Sequence, residues 1–356
     1  MHHPISLVLH GSESRDLGGP SIRVPRTVQI LRSQGIDARL LQMHRDALLL
    51  EDSAAAHVFN VWPLRSSCSI LKFARWLGIP TILSPILLDL QEQHKWHPVH
   101  PILPGHYGPY RLEELHAAFS LADHVVYLSN AERDLANRIG MPIRPFSVVK
   151  NPVDFANFRP GGGCHFWNFV SGRHPDLLNR PFVLCVGRIE PRKNQLALIQ
   201  AISGTGYALV LIGHEAEPRY VQACRDAAGP DVFFLGRLPS DSGILPAAYQ
   251  AAAACAQVTW AEGASLAALE AWASDCPLIL SSLPGNIEYF GTDAVYADPS
   301  NVQDIRDKIF SATGPMRPKS SSLREILYRE CSYEGHVNSL AAIYINLGKT
   351  KSLTVS

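Results

Sequence analysis

Short apolar runs alternate with amphipathic stretches along the first half of the chain. The apolar runs predict buried strands at residues 5–9, 35–41, 57–62, 80–84, 122–129 and 146–149. The amphipathic stretches predict helices at 21–33, 70–77, 110–121 and 130–139. Ser129 or Asn130 would cap the last of these helices. Strands that alternate with helices are typical of a parallel sheet covered on both faces, so this half is predicted to be a doubly wound α/β domain.

The same alternation starts again at residue 182. Strands are predicted at 182–186, 208–212, 232–235 and 278–281, with helices at 194–202 and 245–254. The segment between the halves has no clear period and contains three consecutive glycines, 161–163, which favours an interdomain linker. We therefore predict an N-terminal domain over 1–155, a linker over 156–181, a C-terminal domain over 182–333 and a C-terminal helix within 334–356.

Composition supports this division and excludes several kinds of protein. A chain of 356 residues exceeds the size at which one core usually stops growing. Its 32 basic and 32 acidic side chains balance, so bulk charge does not indicate a nucleic-acid partner. The seven cysteines form no Cys-x-x-Cys pair, which suits a reducing cytosol. We see no signal peptide and no apolar run approaching the ~20 residues of a bilayer span, so we expect a cytoplasmic protein with at most peripheral membrane association.

The most informative polar positions lie between residues 262 and 270. Glu262 is predicted just before a helix and Glu270 about two turns inside it. At ~1.5 Å of rise per residue the two carboxylates would be ~12 Å apart, comparable with the sugar-to-ribose distance of an extended nucleotide-diphosphate sugar. The backbone N–H groups near Ala264, Ser265 and Leu266 would face a phosphate. The alternative is an alanine-rich core helix with a carboxylate near its N-terminus.

A basic loop precedes the helix predicted at 194–202. Arg188, Arg192 and Lys193 place three cations where that helix begins, which is the unfavourable end for positive charge by ~0.3–1 kcal/mol each. A bound anion would remove the conflict, because an arginine can fork onto two phosphate oxygens while a lysine supplies a point charge. The alternative is a solvated helix end.

The first half offers weaker candidates. The loop 11–20 contains Gly18 and Gly19, which allow close approach of a phosphate or sugar, but it lacks the Gly-x-Gly-x-x-Gly pattern of a dinucleotide site. The segment 89–109 is rich in histidine, tryptophan and proline. Two prolines, Pro98 and Pro101, interrupt its histidine series, so we predict no metal site. Two interpretations of this segment remain. It is either a loop that offers aromatic faces and imidazoles to a polar acceptor, or a merely structural loop.

Together these motifs resemble the retaining GT-B glycosyltransferases, and within them glycosyltransferase family 4 of the group 1 type. The resemblance is carried by residues 186–194, by Glu262 and Glu270 with the family's seven-residue gap, by 151–154 and by 288–291. It covers roughly 148–311. It implies an α/β, GT-B architecture in which two Rossmann-like domains face each other across a cleft.

The resemblance also implies roles for individual residues. Arg188 and Lys193 would hold the donor diphosphate and Glu262 would contact the transferred sugar, so these three form the predicted catalytic set. Glu270 would bind the ribose hydroxyls. The backbone at Ser265 and Leu266 would contact the distal phosphate, and the loop at Leu238 would lie beside the base. The predicted donor-binding residues are Glu270, Ser265, Leu266, Gly187, Gly18, Gly19 and Leu238.

Two positions depart from the family pattern. Ser265 stands where a glycine is common, a mild change because serine still exposes its N–H. The histidine that often follows the strand at 80–83 is replaced by Ser84-Pro85, so the resemblance does not assign the acceptor-side contact. We place that contact in the irregular loop, at Asp89, His94, Trp96 and His97.

The implied reaction is metal-independent transfer of a hexosyl group, with retention at the anomeric carbon, from a nucleotide-diphosphate sugar to an acceptor hydroxyl. The acceptor would be a glycan or glycolipid intermediate, as in polysaccharide biosynthesis, at the inner face of the membrane in the glycolipid case. No cofactor is expected besides the nucleotide-sugar co-substrate. The alternatives are a sugar-nucleotide epimerase of the same architecture and a non-catalytic nucleotide-sugar binding subunit.

Overall fold

The computed structural model describes residues 3–9, 19–91, 106–108, 110–239, 242–314 and 320–352. The chain divides into two compact units. Of the described residues, the first consists of those within 1–91, 100–152 and 328–356, and the second of those within 153–327. The last part of the chain therefore belongs to the same unit as the first part.

The first unit is built on a six-stranded sheet. Its elements up to residue 152 are β1 (Ile5–Leu9), α1 (Gly19–Ser33), β2 (Ala38–Gln42), α2 (Met43–Asp46), β3 (Ala55–Phe59), α3 (Leu64–Trp76), β4 (Thr81–Ser84), β5 (His106–Tyr107), β6 (Tyr110–Arg111), α4 (Leu112–Leu121), β7 (His124–Tyr127), α5 (Asn130–Arg138) and β8 (Phe146–Val148). The sheet order is β2-β1-β3-β4-β7-β8 with every pairing parallel, while β5 and β6 form a separate antiparallel pair.

The central strands of this sheet are buried on both faces. Every residue of β1, β3 and β4 is buried, which is why these segments read as nearly continuous apolar runs rather than as alternating ones. The predicted cap of α5 is confirmed, because the Ser129 side chain accepts a hydrogen bond from the Glu132 backbone N–H at 3.0 Å.

The second unit also contains six parallel strands. Its elements are α6 (Cys164–Ser171), β9 (Phe182–Val186), α7 (Gln195–Ile202), β10 (Ala208–Ile212), α8 (Pro218–Ala227), β11 (Val232–Gly236), α9 (Ile244–Ala251), β12 (Ala254–Gln257), α10 (Leu266–Ala273), β13 (Leu278–Ser281), α11 (Pro284–Phe290), β14 (Ala294–Ala297) and α12 (Val302–Thr313). The next helix, α13 (Ser321–Cys331), begins in the second unit and ends in the first. The sheet order is β11-β10-β9-β12-β13-β14. The predicted doubly wound fold is thus confirmed in both units.

The last helix, α14 (Tyr333–Ser352), contributes to the core of the first unit. Val337, Leu340 and Ile343 on this helix are buried in a cluster with residues of β1, β3 and α1. Tyr344 of the same helix meets β3 through a 2.8 Å hydrogen bond between its hydroxyl and His57 Nδ1. None of the helices in the described part of the chain combines the length and apolar composition that a bilayer span requires.

Several elements lie where the sequence pattern is weak. The segment 156–181 contains α6, whose Phe166 and Val170 are buried and which packs against α9. The elements α8, β14, α12 and α13 have no counterpart among the predicted strands and helices. Helix α10 begins at Leu266, so Glu270 lies about one turn inside it and not two.

In each sheet, the side on which the chain adds its next strand changes at one point. In the first unit the chain goes from β1 outward to β2 and then returns to β3 on the other side of β1. In the second unit the corresponding reversal lies between β9 and β12. Open α/β sheets bind ligands beyond the carboxyl ends of the strands at such a switch point, which directs attention to the loops after β9 and β12.

Candidate active site

The loop after β9 is held against the end of β10 by glycines. A Cβ atom at Gly213 would lie 1.8 Å from the carbonyl oxygen of Gly187, so only glycine fits at position 213. The Gly187 N–H donates to the Ile212 carbonyl at 2.9 Å, and the Ile189 N–H donates to the His214 carbonyl at 2.8 Å. These contacts fix the backbone from which the basic side chains extend.

Glu190 connects two arginines of this loop. Its Oε1 accepts from Arg188 Nη2 at 3.2 Å and from Arg192 Nη2 at 2.7 Å. Burial alone would raise the pKa of Glu190, but Arg192 and Arg188 outweigh it and hold that pKa below its ordinary value. Glu190 is therefore an anion that orients both guanidinium groups.

Lys193 and Glu262 form the central contact of the site. Lys193 Nζ lies 2.5 Å from Glu262 Oε2, and Arg192 Nη1 lies 3.7 Å from the same oxygen. Arg192 Nη1 also donates to the Ala261 carbonyl at 2.7 Å, so the loop after β9 is hydrogen-bonded to the backbone of the loop after β12. Burial acts to raise the pKa of Glu262, whereas Lys193, Arg192 and the Gly263 N–H lower it by a larger amount. Glu262 is consequently held as a carboxylate.

The start of α10 lies directly after this carboxylate. Ser265 is the N-cap residue, and its hydroxyl accepts from the Ala268 N–H at 3.2 Å. This cap occupies one of the N–H groups of the first turn and leaves those of Leu266 and Ala267 at the end of the helix, where no intrahelical partner exists. The positive end of the helix dipole thus lies beside the basic loop.

Glu270 is bound to a tyrosine that the sequence pattern did not single out. Its Oε2 accepts from the Tyr249 hydroxyl of α9 at 3.0 Å. Burial raises the pKa of Glu270 to about 7, and the hydrogen bond from Tyr249 works against that rise. One carboxylate oxygen of Glu270 is therefore held by the protein.

The charged side chains at this edge nearly balance and leave a small positive excess. Arg188, Arg192 and Lys193 supply three cations, and Glu190 and Glu262 supply two carboxylates. The conflict expected between the basic loop and a helix start is thus relieved by the protein's own carboxylates. Asn194, which has a left-handed φ of 58°, also separates the cations from α7. The arrangement can accept an anion at little reorganisation cost, because its charged groups are already oriented.

The other residues predicted for a ligand site lie elsewhere or outside the described ranges. Leu238 follows β11, two strands from the switch point, and is half-buried. Gly19 is the first residue of α1, while Gly18 lies outside the described residues. Asp89 pairs with Arg138 and accepts from the Tyr107 hydroxyl at 3.2 Å. His94, Trp96 and His97 also lie outside the described residues.

Ser84, which stands at the position discussed above for an acceptor-side histidine, already has a hydrogen-bond partner. Ser84 Oγ lies 2.8 Å from Nε2 of His57, a fully buried residue of β3. Burial, with Arg23 nearby, lowers the pKa of His57 well below its ordinary value, so its imidazole is a neutral part of the core. Among the residues that the structure describes, no group of three or more His, Cys, Asp and Glu side chains is arranged to hold a metal ion.

Sequence reasoning missed three features of this site. The tyrosine at 249 lies in an alanine-rich helix and carries no motif. The bridging role of Glu190 depends on the conformation of its loop. The hydrogen bond from Arg192 to the Ala261 carbonyl joins residues that are 69 positions apart. The alternating signs of Arg188, Glu190 and Arg192 were the one available signal, since neighbouring opposite charges can pair.

Comparison with known proteins finds a family similarity in the second unit. Residues 180–313 match the family model described as glycosyl transferases group 1. A 140-residue segment is 29% identical to the O-antigen chain mannosyltransferase B of Escherichia coli. That alignment covers 37% of this chain and 36% of the relative, so the chain matches about a third of that protein's length.

Solved structures resemble the whole chain. Sucrose-phosphate synthase from Thermosynechococcus elongatus superposes with a TM-score of 0.75 at 17% identity, over 98% of this chain and 100% of that one. Anabaena HepE in complex with UDP and glucose gives 0.73 at 15% identity, over 96% and 99%. A glycosyltransferase from Rickettsia africae gives 0.72 at 14% identity, over 97% and 98%. The chain has the GT-B fold of these structures, and residues 180–313 of its second unit are similar to the group 1 glycosyl transferases.

Proposed function

We propose that this protein is a retaining glycosyltransferase that moves a hexosyl group from a nucleotide-diphosphate sugar to an acceptor hydroxyl. The observation that carries the proposal is the cluster of Arg188, Arg192, Lys193 and Glu262 beside the start of α10, at the switch point of a group 1 glycosyltransferase domain. A diphosphate needs compensating charge from several directions, and this edge supplies it from two side-chain cations and a helix terminus.

In this proposal the donor lies along the loops after β9 and β12. Arg188 and Lys193 bind the diphosphate, and the N–H groups of Leu266 and Ala267 bind its distal phosphate. Glu270 accepts from a ribose hydroxyl through the oxygen that Tyr249 does not occupy. The base then borders the loop at Leu238.

Glu262 acts at the transferred sugar. Its carboxylate touches Lys193 at 2.5 Å, so a diphosphate bound to Lys193 brings the sugar directly to Glu262. As the bond between the anomeric carbon and the diphosphate oxygen breaks, negative charge grows on the leaving group and positive charge on the sugar ring. Lys193 and Arg188 stabilise the first charge, and Glu262 stabilises the second by accepting from a sugar hydroxyl. The acceptor oxygen bonds to the anomeric carbon on the same face, and its proton passes to the departing phosphate.

The compensating charge in this mechanism comes from side chains, so we propose that transfer is metal-independent. The relatives suggest the kinds of molecule involved. HepE was solved with UDP and glucose and with UDP-glucose, and the Escherichia coli relative is a mannosyltransferase of the O-antigen chain. We propose a glycan or glycolipid intermediate of polysaccharide biosynthesis as the acceptor, at the inner face of the membrane where the acceptor is a glycolipid.

The test is incubation with UDP-glucose, UDP-galactose, GDP-mannose and related donors together with a panel of alkyl glycosides, with and without a chelator. The expected result is release of nucleoside diphosphate and a product whose new glycosidic bond has the donor's anomeric configuration by NMR, unaffected by the chelator. Inverted product, or activity that the chelator abolishes and a divalent ion restores, would contradict the proposal. Interconversion of donor sugars without any acceptor would indicate an epimerase instead.

A further inference from the structure

The switch point of the first unit carries residues that the donor site does not use. Beyond the carboxyl end of β3, next to β1, the chain continues through Asn60, Val61 and Trp62. This is the topological counterpart, in the first unit, of the loop after β12, which bears Glu262 in the second. A ligand crevice is therefore expected at this point as well.

Trp62 is presented to solvent on a fixed backbone. Its side chain is part of a residue that is 47% exposed, while the preceding Val61 is fully buried. The Asn60 N–H donates to the Ser84 carbonyl at 2.8 Å, and the Val61 N–H donates to the Pro85 carbonyl at 3.0 Å. Asn60 has a left-handed φ of 74°, and its Oδ1 accepts from the Trp62 N–H at 3.0 Å. The position of the tryptophan is thus set by β4 as well as by its own turn.

The indole ring is also supported from one side. Tyr110 of the β5–β6 pair meets it edge to face, with ring centroids 5.9 Å apart and an interplanar angle of 70°. Tyr110 itself is buried. The edge-to-face contact orients the indole while part of its surface stays exposed.

Exposure alone does not distinguish this tryptophan. Trp76 is 79% exposed, but it is the last residue of α3, on the way back to the amino end of β4. Trp62 is less exposed and lies at the carboxyl edge, where the fold places ligands. The pair therefore provides a matched comparison of the same residue type at opposite edges of one sheet.

We propose that Trp62, supported by Tyr110, is a stacking platform for a pyranose ring of the acceptor. This inference rests on the glycosyl transfer proposed above. A pyranose presents C–H bonds on its face and hydroxyls on its rim, and the negative face of an aromatic ring attracts those C–H bonds while removing apolar surface from water. Trp62 would therefore select a sugar acceptor by the shape of one ring face, without a charged contact.

The test uses methyl glycosides of mannose, glucose and galactose as probes, with the octyl glycosides beside them. Saturation-transfer NMR is recorded on the full-length protein and on Trp62→Ala, Trp62→Phe and Trp76→Ala. We expect saturation of pyranose ring protons for at least one methyl glycoside, loss of at least five-fold in Trp62→Ala, partial retention in Trp62→Phe and no change in Trp76→Ala. Thermal midpoints of the variants verify that each one folds.

Three results would overturn the inference. They are equal ring-proton saturation in Trp62→Ala and the wild type, saturation by no methyl glycoside of the panel, and contact confined to the alkyl chains of the octyl glycosides. Calorimetry with nucleotide-diphosphate sugars on the same variants separates this question from the donor site. Unchanged donor affinity in Trp62→Ala is expected, whereas failure of every donor to bind the wild type would refute the proposed function and leave the glycoside result to be judged by itself.

Discussion

Lys193 and Glu262 join the two loops of the second sheet's switch point through a 2.5 Å contact between Nζ and Oε2. Their side chains are 14% and 13% exposed, so little water lies around the pair. Lys193 keeps Glu262 ionised, and the contact orients both groups before any ligand arrives. The proposed mechanism uses both properties, since Lys193 must meet a phosphate and Glu262 must meet the sugar attached to it.

Removing either member of this pair is predicted to slow turnover strongly without unfolding the protein. Lys193→Ala and Glu262→Ala should each lower the rate of donor consumption by about 10²–10³-fold, the loss typical of one stabilising group in a transition state. The matched control is Lys308→Ala, which removes a more exposed lysine paired with Asp304 on α12 of the same unit. Wild-type rates from Lys193→Ala or Glu262→Ala with any active donor would refute the roles given to these residues.

Arg192→Lys tests whether the guanidinium of Arg192 acts by positioning the loop that carries Glu262. Lysine keeps the charge but cannot donate at the same time to the Ala261 carbonyl and to Glu190, as Arg192 does at 2.7 Å in both cases. We expect kcat to fall about ten-fold, or about 1.4 kcal/mol, with a much smaller change in the KM of the donor. Arg225→Lys, at an exposed arginine that pairs with Glu215, should change neither constant. A rise in donor KM with unchanged kcat would assign Arg192 to ground-state binding instead.

The prediction from sequence succeeded where local pattern determines structure. The strands at 182–186 and 208–212 were placed without error, because fully buried parallel strands are short apolar runs. Helix α8 was missed because only two of its residues, Val221 and Cys224, are buried, so its apolar face is too small to stand out in the sequence. The cluster of basic residues and Glu262 could be named from motifs, but its pairing could not. Whether Lys193 meets Glu262 or solvent depends on how two loops 69 residues apart fold against each other.

Glu270 predicts a pH dependence of donor binding. Burial raises its pKa to about 7, and ribose hydroxyls donate to the ionised form, so binding lowers that pKa. Donor affinity should therefore rise with pH through about 7 and level off above it, by up to about ten-fold per pH unit on the acid side. A nucleotide-diphosphate sugar suits the measurement, because its two phosphates carry no second acidic proton.

Glu270→Gln is the matched variant for this experiment, since glutamine keeps the size and one acceptor oxygen. Calorimetry of the two proteins across neutral pH should show a slope in the wild type and a flat, weaker affinity in the variant. The same slope in both proteins would assign the titration to another group.

His336 predicts how the first unit responds to acid. It is buried on α14, and its Nδ1 lies 2.9 Å from the Lys150 carbonyl. Burial lowers its pKa to about 3, with Arg23 adding to the effect. Because the folded pKa lies below the unfolded value of 6.5, this group's stabilisation is complete above pH 6.5 and is lost as pH falls toward 3.

His336→Asn replaces the imidazole with a side chain that can donate to the same carbonyl but does not titrate. Between about pH 7 and pH 5 the wild type should lose about 2 kcal/mol more of its free energy of unfolding than the variant does. Urea unfolding at the two pH values gives this difference, and contributions from other buried groups cancel in it. Equal losses in both proteins would show that His336 is not the neutral buried group described here.

The most direct test of the account is a thermal-shift screen of the wild type and Lys193→Ala against nucleotide-diphosphate sugars. A donor at about 100 times its dissociation constant adds about 2.7 kcal/mol to the free energy of unfolding. We predict that at least one donor raises the midpoint of the wild type and that the same donor leaves Lys193→Ala unshifted. A shift of equal size in both proteins would contradict a donor site built on the loops after β9 and β12, and so would the absence of any shift in the wild type.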